Sequence, residues 1–257
     1  MLRRIVVILL ALGLAPSWAV QADLDSASAI NKAGRQRMLS QRIAKAYCQL
    51  SLGITPDSSR RQLDESVDLF DSQLVELTAF VADAEARTAT ADVARIWGPF
   101  RTRATGPVTR EGCGELAAAS EPLLEAAHRL TAMIQARATN DLGRLVSVSG
   151  RQRMLTQRLT LLYMAGTAGA DSPLLRGTRD AAAAEFAAGL EQLRQAAPNT
   201  PALRRQLESV ALQWEWFRSV LELRGEDSYG ELVASASESI LSSLERITGQ
   251  YESLFRG

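Results

Sequence analysis

An internal duplication covers nearly all of the chain after its N-terminal segment. The stretch NKAGRQRMLSQRIAKAYCQL begins at Asn31 and returns at Ser147 as SVSGRQRMLTQRLTLLYMAG, with the hexapeptide GRQRML identical in both copies. These stretches are offset by 116 residues, and an offset of 117 maps WGPFRT at Trp97 onto WEWFRS at Trp214. Self-similarity over this length predicts two units of the same structure in tandem, with small insertions or deletions between them.

Each copy is predicted to form four helices. Turn-forming segments such as GITPDSS, RTATAD, TGPVTREGCG, AGADSP, APNTP and GEDSYG interrupt the helical patterns, and strand-like alternation is absent. We therefore expect an all-α protein of two tandem up-and-down four-helix bundles, with domains at 23–138 and 139–257. The predicted helices are 26–53, 58–88, 90–105 and 113–137 in the first copy, and 141–167, 173–196, 200–225 and 229–255 in the second.

Residues 1–22 have the form of a secretory signal peptide. Arg3 and Arg4 precede a short apolar stretch over 5–15, and the residues that follow suit a cleavage site. An uncleaved membrane anchor is the alternative, although this stretch is short for a bilayer span. We expect the mature chain to begin near Asp23 and to work in the periplasm.

Charge and residue content argue against several classes of function. Lysine and arginine balance aspartate and glutamate at 29 each, so net charge gives no reason to expect nucleic-acid binding. No pair of catalytic carboxylates, Ser-His-Asp set, phosphate loop or metal-ligand cluster stands out, so we expect neither an enzyme nor a metal or other cofactor. The lone histidine, His128, lies in a helical pattern, HRLTA, whose counterpart is ERITG at Glu245. We expect a structural or surface role for it.

The two cysteines, Cys48 and Cys113, fall near the end of the first predicted helix and at the start of the fourth. These helix ends are adjacent in an up-and-down bundle, so an oxidising compartment would allow a disulfide. Cys48 also belongs to a helix face that suits contact with another helix, which argues against the bridge. The sequence leaves both alternatives open.

The first helix of each copy has a face that is small and polar at its centre. A separate apolar stripe on the same helix can pack into its own bundle, so the helix has two faces of the buried type. We call the small, polar face, which repeats at a spacing of three and four residues, the Gly-Arg-Gln face. It contains Gly34, Arg37 and Gln41 in the first copy and Gly150, Arg153 and Gln157 in the second.

Apart from Asp141 at the start of the second, these two helices have no acidic residues of their own, because Asp and Glu are absent over 26–56 and 142–170. If the Gly-Arg-Gln faces pair in parallel, Arg37 faces Arg153. Two guanidinium charges about 6 Å apart repel by about 3 kcal/mol at an effective dielectric constant near 20. A small planar oxyanion between them would relieve this repulsion, because a guanidinium donates two parallel hydrogen bonds to adjacent oxygens.

The competing interpretation is that the arginines form ordinary ion pairs with acidic residues of the second and fourth helices. The recurrence of the same Gly-Arg-Gln spacing in both copies favours the anion site. Four arginines outside this face are expected to form salt bridges or to contact solvent, namely Arg35, Arg42, Arg151 and Arg158.

The stretch INKAGRQRMLSQRI resembles the P-box of NarX-type nitrate- and nitrite-sensing histidine kinases. It also resembles the N-terminal sensor domain of PilJ-type methyl-accepting chemotaxis transducers, whose pattern is close to Asn-Lys-Ala-Gly, two variable residues and Arg-Met. The resemblance implies that nitrate or nitrite binds between two P-box helices through an arginine from each. By this resemblance the ligand-facing residues are Lys32, Gly34 and Arg37 in the first copy and Gly150 and Arg153 in the second.

Two departures from the family pattern affect the expected function. The second copy has Ser147-Val148-Ser149 in place of Asn31-Lys32-Ala33, so a site made from both copies would have one lysine and two arginines. Family members are membrane receptors with signalling regions, whereas this chain looks like the sensor half alone, fused to itself and exported. We expect a soluble periplasmic nitrate- or nitrite-binding module that presents its ligand state to a membrane receptor, kinase or transporter. The alternative is a structural or protein-interaction module that uses the same face to form a homodimer.

The linker QARATNDLG decides how the two copies are arranged. A sharp turn near Asn140 would place the two P-box helices side by side in parallel, whereas a continuous helix would stack the bundles end to end. Thr139, Asn140 and Asp141 are residue types that begin helices, which favours the turn.

Overall fold

The computed structural model describes residues 25–137, 141–223 and 227–256, and their regular structure is entirely helical. This confirms the predicted all-α class and the two tandem four-helix bundles. The expected signal peptide and the centre of the linker fall outside the described residues. The helices are α1 (Ser26–Ser51), α2 (Pro56–Phe80), α3 (Ala84–Ala104), α4 (Arg110–Gln135), α5 (Asp141–Ala165, followed by a π-helical turn over Gly166–Ala170), α6 (Pro173–Arg194), α7 (Pro201–Leu221) and α8 (Asp227–Arg256).

Each set of four helices closes into its own bundle with the same internal packing. In the first bundle α1 packs on α2 and α4, and α3 packs on both of those neighbours; α5 to α8 repeat this pattern. The ring of Phe70 stacks on Trp97 with centroids 3.9 Å apart, and the equivalent Phe186 stacks on Trp214 at 4.2 Å. The duplication is therefore one of side-chain packing as well as of sequence.

The two P-box helices, α1 and α5, lie side by side and parallel at the centre of the molecule. Their contacts keep the register of the repeat. Gly34 lies next to Gly150, and further along the pair Nη1 of Arg42 is 3.4 Å from Oε1 of Gln157. Since α4 also contacts α5 and α8 contacts α1, both central helices are covered along most of their length.

The boundary between α2 and α3 differs from the prediction. The segment RTATAD was expected to separate these helices, but α2 ends at Phe80 and α3 begins at Ala84, so the segment lies inside α3. Asp83 starts α3, because its side chain accepts a hydrogen bond of 2.9 Å from the backbone N–H of Ala86. An aspartate at the N-cap position is a stronger helix-start signal than the threonines of RTATAD.

Cys48 of α1 and Cys113 of α4 form a disulfide, with their Cα atoms 4.8 Å apart and both residues fully buried. The bridge closes a sequence separation of 65 residues within the first bundle. The equivalent positions of the second copy are Met164 and Tyr229, so the bridge belongs to the first bundle and is not part of the repeated design.

Within the three described ranges, no helix combines the length and the apolar character that crossing a membrane would require.

Candidate functional site

The glycines of the two P-box helices lie opposite each other at the contact between α1 and α5. A Cβ atom placed on Gly150 would lie 3.9 Å from the Cα atom of Gly34, so the two backbones approach closely here. A glycine inside a helix costs about 1 kcal/mol relative to alanine. Close approach of another backbone is a structural reason for that cost.

Two arginines converge on this glycine pair. A Cβ atom on Gly150 would lie 3.4 Å from Nη2 of Arg153 and 3.7 Å from Nη2 of Arg37, and a Cβ atom on Gly34 would lie 3.2 Å from Nη2 of Arg37. Arg37 is 1% exposed and Arg153 is 0% exposed. The structure therefore brings Gly34, Arg37, Gly150 and Arg153 together, with two like charges in one small buried space.

Each arginine reaches across to the other copy. Nη2 of Arg37 donates to the carbonyl oxygen of Ser147 at 3.3 Å, and Nη2 of Arg153 donates to Oδ1 of Asn31 at 2.7 Å. Because Asn31 and Ser147 are equivalent in the repeat, the arrangement has approximate twofold symmetry. Asn31 is held in turn by Glu252 of α8, whose Oε2 accepts from its Nδ2 at 2.6 Å.

Several nitrogen atoms of the arginine pair have no partner within the described part of the chain. Nε of Arg37 and both Nε and Nη1 of Arg153 are buried without a hydrogen-bond acceptor there. Among the ion pairs of the described residues, none involves either guanidinium group. A buried positive charge that no carboxylate contacts is costly, so this space suits a further hydrogen-bond acceptor that carries negative charge.

The protonated state of both arginines is disfavoured by their surroundings. Burial lowers the pKa of Arg37 from 12.5 to about 9, and the positive charge of Arg151 adds to this effect. Burial also lowers the pKa of Arg153 from 12.5 to about 9; Arg35 and Arg37 add to this effect, and the negative charges of Glu245 and Glu252 oppose it. An anion beside these groups would reverse the shifts, because a nearby opposite charge favours the charged form.

His128 of α4, which the sequence did not single out for function, belongs to this cluster. Its Nδ1 lies 3.4 Å from Nη1 of Arg37 and 3.4 Å from Nη1 of Arg151. Both guanidinium groups can only donate, so Nδ1 accepts and the ring proton of the neutral imidazole is on Nε2. Burial, together with the charges of Arg37 and Arg151, lowers the pKa of His128 and keeps the ring neutral near pH 7. The repeat is the feature of the sequence that could have drawn attention to His128, because the equivalent position in the second copy is Glu245.

Lys32 does not join the arginine pair. Its ammonium group forms an ion pair with Glu76 of α2. Lys32 precedes Gly34 by two residues, and helix positions two residues apart do not share a face. The expectation that Lys32 faces the ligand therefore does not fit this geometry.

Comparison with known proteins agrees with the duplication. The model of a family described as "Type IV pili methyl-accepting chemotaxis transducer N-term", or PilJ, matches residues 18–112 and 135–237. No curated protein and no solved structure is similar enough to be matched to the chain. The two matched segments begin at corresponding positions of the two copies, and each contains one P-box helix. The comparison does not confirm the resemblance to the NarX-type kinases, which stays a prediction. The chain belongs to the PilJ family of N-terminal domains of type IV pili methyl-accepting chemotaxis transducers and carries that domain twice.

Proposed function

We propose that this protein is a periplasmic sensory module that binds nitrate or nitrite between α1 and α5. Membership of a family of transducer N-terminal domains supports a sensory role over a catalytic one. The observation that carries the choice of ligand is the pair of buried guanidinium groups of Arg37 and Arg153. Both lie within 4 Å of one point beside Gly150, with unpartnered nitrogen atoms and no described carboxylate bonded to either.

The chemistry of the pair suits a small planar monoanion. Nitrate and nitrite offer oxygen atoms in one plane, which matches the planar donor edge of a guanidinium group. Arg153 has two unpartnered nitrogen atoms, Nε and Nη1. Each of them shares an edge of the guanidinium group with Nη2, so a two-bond contact with the anion would use one of them together with the second N–H of Nη2. A single negative charge between two positive ones also removes most of the repulsion between them. Chloride is spherical and cannot use the fork geometry in this way.

A ligand in this position would contact both copies of the domain. Because Arg37 belongs to the first bundle and Arg153 to the second, binding would favour those arrangements of the bundles in which both arginines reach the anion. In this proposal a membrane receptor, kinase or transporter reads that arrangement. We retain 1–22 as a signal peptide and 23–138 and 139–257 as the two domains.

The second candidate function is a purely structural or interaction module. The hydrogen bonds from Arg37 to Ser147 and from Arg153 to Asn31 favour it, because they already join the two copies without a ligand. Homodimerisation through the Gly-Arg-Gln face has less support, since the chain's own second copy already covers that face.

Thermal unfolding in different sodium salts separates these two functions. We expect nitrate or nitrite to raise the melting temperature, because a ligand at a hundred times its Kd adds about 2.7 kcal/mol to stability. Chloride at equal ionic strength should not do so. Arg37→Ala and Arg153→Ala should each abolish the nitrate response, whereas the control Arg60→Ala, at an exposed position of α2, should retain it. If no small oxyanion stabilises the wild-type protein, the structural module is the better account.

The glycine pair provides a test in which stability and binding change independently. In Gly34→Ala the new Cβ would lie 3.2 Å from Nη2 of Arg37, so the guanidinium group must shift by a few tenths of an ångström. We expect the free energy of unfolding without ligand to change by no more than about 1 kcal/mol, because the better helix propensity offsets the crowding. Nitrate affinity, measured by calorimetry, should fall at least about tenfold, since a small displacement of a positioning group weakens a two-bond contact. Gly177→Ala, in an open position of α6, is the control and should leave affinity unchanged.

A further inference from the structure

Two grooves flank the contact between α1 and α5, one on each side, and the internal repeat relates them. The first, the α4–α6 groove, has a volume of about 520 Å³ and is lined by residues that include Glu121, His128, Arg151, Met154, Ala181 and Glu185. The second, the α2–α8 groove, has a volume of about 200 Å³ and is lined by residues that include Met38, Arg42, Glu65, Leu69, Glu238 and Glu245. The lining residues of the two grooves occupy equivalent positions of the repeat. Differences between the grooves can therefore be assigned to particular substitutions between the two copies.

A change of side-chain size at one pair of equivalent positions accounts for part of the difference in volume. Ala181 of α6 stands in the larger groove where Glu65 of α2 stands in the smaller one. The next residues along the same helices are Ala182 and Ser66. The second copy thus has smaller side chains on the wall of its groove, which leaves the larger opening.

The two grooves also differ in the residue that lies closest to the arginine pair. In the α4–α6 groove this residue is His128, which lines the cavity and also contacts Arg37. In the α2–α8 groove the equivalent residue is Glu245, whose negative charge raises the pKa of Arg153 against the effect of burial. Each groove is lined by three glutamates, namely Glu121, Glu125 and Glu185 in the first and Glu65, Glu238 and Glu245 in the second. The difference lies at the position shared by His128 and Glu245, where an anion in the first groove meets a neutral ring beside Arg151 and an anion in the second meets a carboxylate.

Arg37 itself is 1% exposed, so solvent does not reach its guanidinium group directly. His128 borders both the α4–α6 groove and the guanidinium group of Arg37. A path from the groove to the arginine pair at this point would require that its side chain rotate.

We propose that the α4–α6 groove is the entrance through which the anion reaches Arg37 and Arg153, and that His128 controls this entrance. The inference rests on the proposed anion-binding function. It adds to that function the route by which the anion enters and one further residue. In this proposal Glu245 disfavours the approach of an anion to the arginine pair through the α2–α8 groove. In a symmetric pair of domains both grooves would be equivalent, and the duplication within one chain has allowed them to diverge.

Protonation of His128 should couple to anion binding. The charged groups that face its ring are Arg37 of α1, Arg151 of α5, Glu185 of α6 and Glu125 of its own helix. A protonated ring can no longer accept from the two arginines, and its charge would be compensated by a bound anion. We therefore expect nitrate affinity to rise as the pH falls below 6.5, because the pKa of His128 in the free protein lies under that value. His128→Gln, which keeps a neutral acceptor, should lose this dependence.

The entrance is tested by giving each groove the residue of the other. Ala181→Glu places the side chain of the smaller groove in the larger one, and we expect the association rate for nitrate, from stopped-flow or NMR line shapes, to fall about tenfold. The reciprocal change, Glu65→Ala, enlarges the groove that the anion does not use and should leave the rate unchanged. His128→Glu should raise the Kd for nitrate at least about tenfold, because the new carboxylate can pair with Arg37 in place of the anion. The melting temperature of His128→Glu without ligand should equal or exceed that of the wild type, which shows that the variant is folded.

The outcomes separate the entrance from the binding function. If wild-type protein does not bind nitrate, the proposed function and the entrance both fail. If wild-type protein binds nitrate through Arg37 and Arg153, but Ala181→Glu leaves the rate unchanged and Glu65→Ala raises it, the entrance is on the other side. Unchanged nitrate affinity in His128→Glu would remove His128 from the site.

Discussion

Replacement of Glu238 by glutamine should lower the free energy of unfolding by about 3 kcal/mol, because it leaves a buried lysine without its counter-charge. Lys45 of α1 is 0% exposed, and its Nζ donates to Oε1 of Glu238 at 2.5 Å. Nη1 of Arg42 donates to the same oxygen atom at 2.8 Å. This cluster ties α1 of the first bundle to α8 of the second, so its loss affects the contact between the two copies.

The same cluster predicts an acid-sensitive stability. Burial of Glu238 raises its pKa, but the charges of Lys45 and Arg42 and their hydrogen bonds outweigh burial and lower the pKa from 4.5 to about 2. A carboxyl group whose pKa is lower in the folded state stabilises the protein above its unfolded pKa and loses that contribution as it becomes protonated. The Glu238 contribution should therefore be present above pH 4.5 and disappear as the pH falls towards 2.

The second copy supplies the variants that make this test specific. Leu161 stands at the position equivalent to Lys45, so Lys45→Leu is a substitution that the fold already uses. The double variant Lys45→Leu with Glu238→Gln should recover most of the lost stability, because removal of both charges leaves neither one unpaired. Glu121→Gln breaks the equivalent ion pair with Arg158, in which the glutamate side chain is 47% exposed, and should cost less than about 1 kcal/mol. Urea denaturation measures all three. Equal stability of Glu238→Gln and wild type, or failure of the double variant to recover, would contradict this account.

Removal of the disulfide should have an effect of similar size. The bridge between Cys48 and Cys113 spans 65 residues, and a crosslink over a loop of this length restricts the unfolded chain by about 4 kcal/mol. We expect the Cys48→Ala/Cys113→Ala variant to unfold at a markedly lower temperature than the oxidised wild type. Scanning calorimetry with and without reductant provides the measurement. Reductant should lower the melting temperature of the wild-type protein towards that of the variant and leave the variant itself unchanged; an equal response of both proteins would mean that the bridge contributes nothing.

The parts of the fold that depend on local patterns could be predicted from the sequence. The repeat and the turn segments indicated eight helices in two bundles, since periodicity and helix-breaking residues act over short distances. Arg35, Arg42, Arg151 and Arg158 were expected to form salt bridges or to contact solvent. Three of them form ion pairs, Arg42 with Glu238, Arg151 with Glu185 and Arg158 with Glu121, whereas Nε of Arg35 is buried without a partner in the described part of the chain. The predicted boundary at RTATAD was wrong, because the single capping residue Asp83 outweighed this longer segment of weak helix formers.

The site could be predicted less completely from the sequence, because its residues come from distant parts of the chain. The Gly-Arg-Gln face could be recognised because the repeat marks Arg37 and Arg153 at equivalent positions. Nothing in the local pattern around His128 indicates that Arg37 and Arg151 will lie against its ring, since these three residues belong to three helices. Lys32 was assigned to the ligand by resemblance alone, and its position on the helix directs it to α2 instead. Sequence patterns thus identified the helices that meet, whereas the set of side chains at their contact required coordinates.

Titration calorimetry with nitrate on protein shown by sedimentation to be a monomer tests the central claim most directly, because that claim is that one chain supplies both halves of the site. We expect one nitrate ion per chain, with binding abolished by Arg37→Ala and equally by Arg153→Ala. Binding of one ion per two chains, or binding that survives the loss of either arginine, would contradict the account.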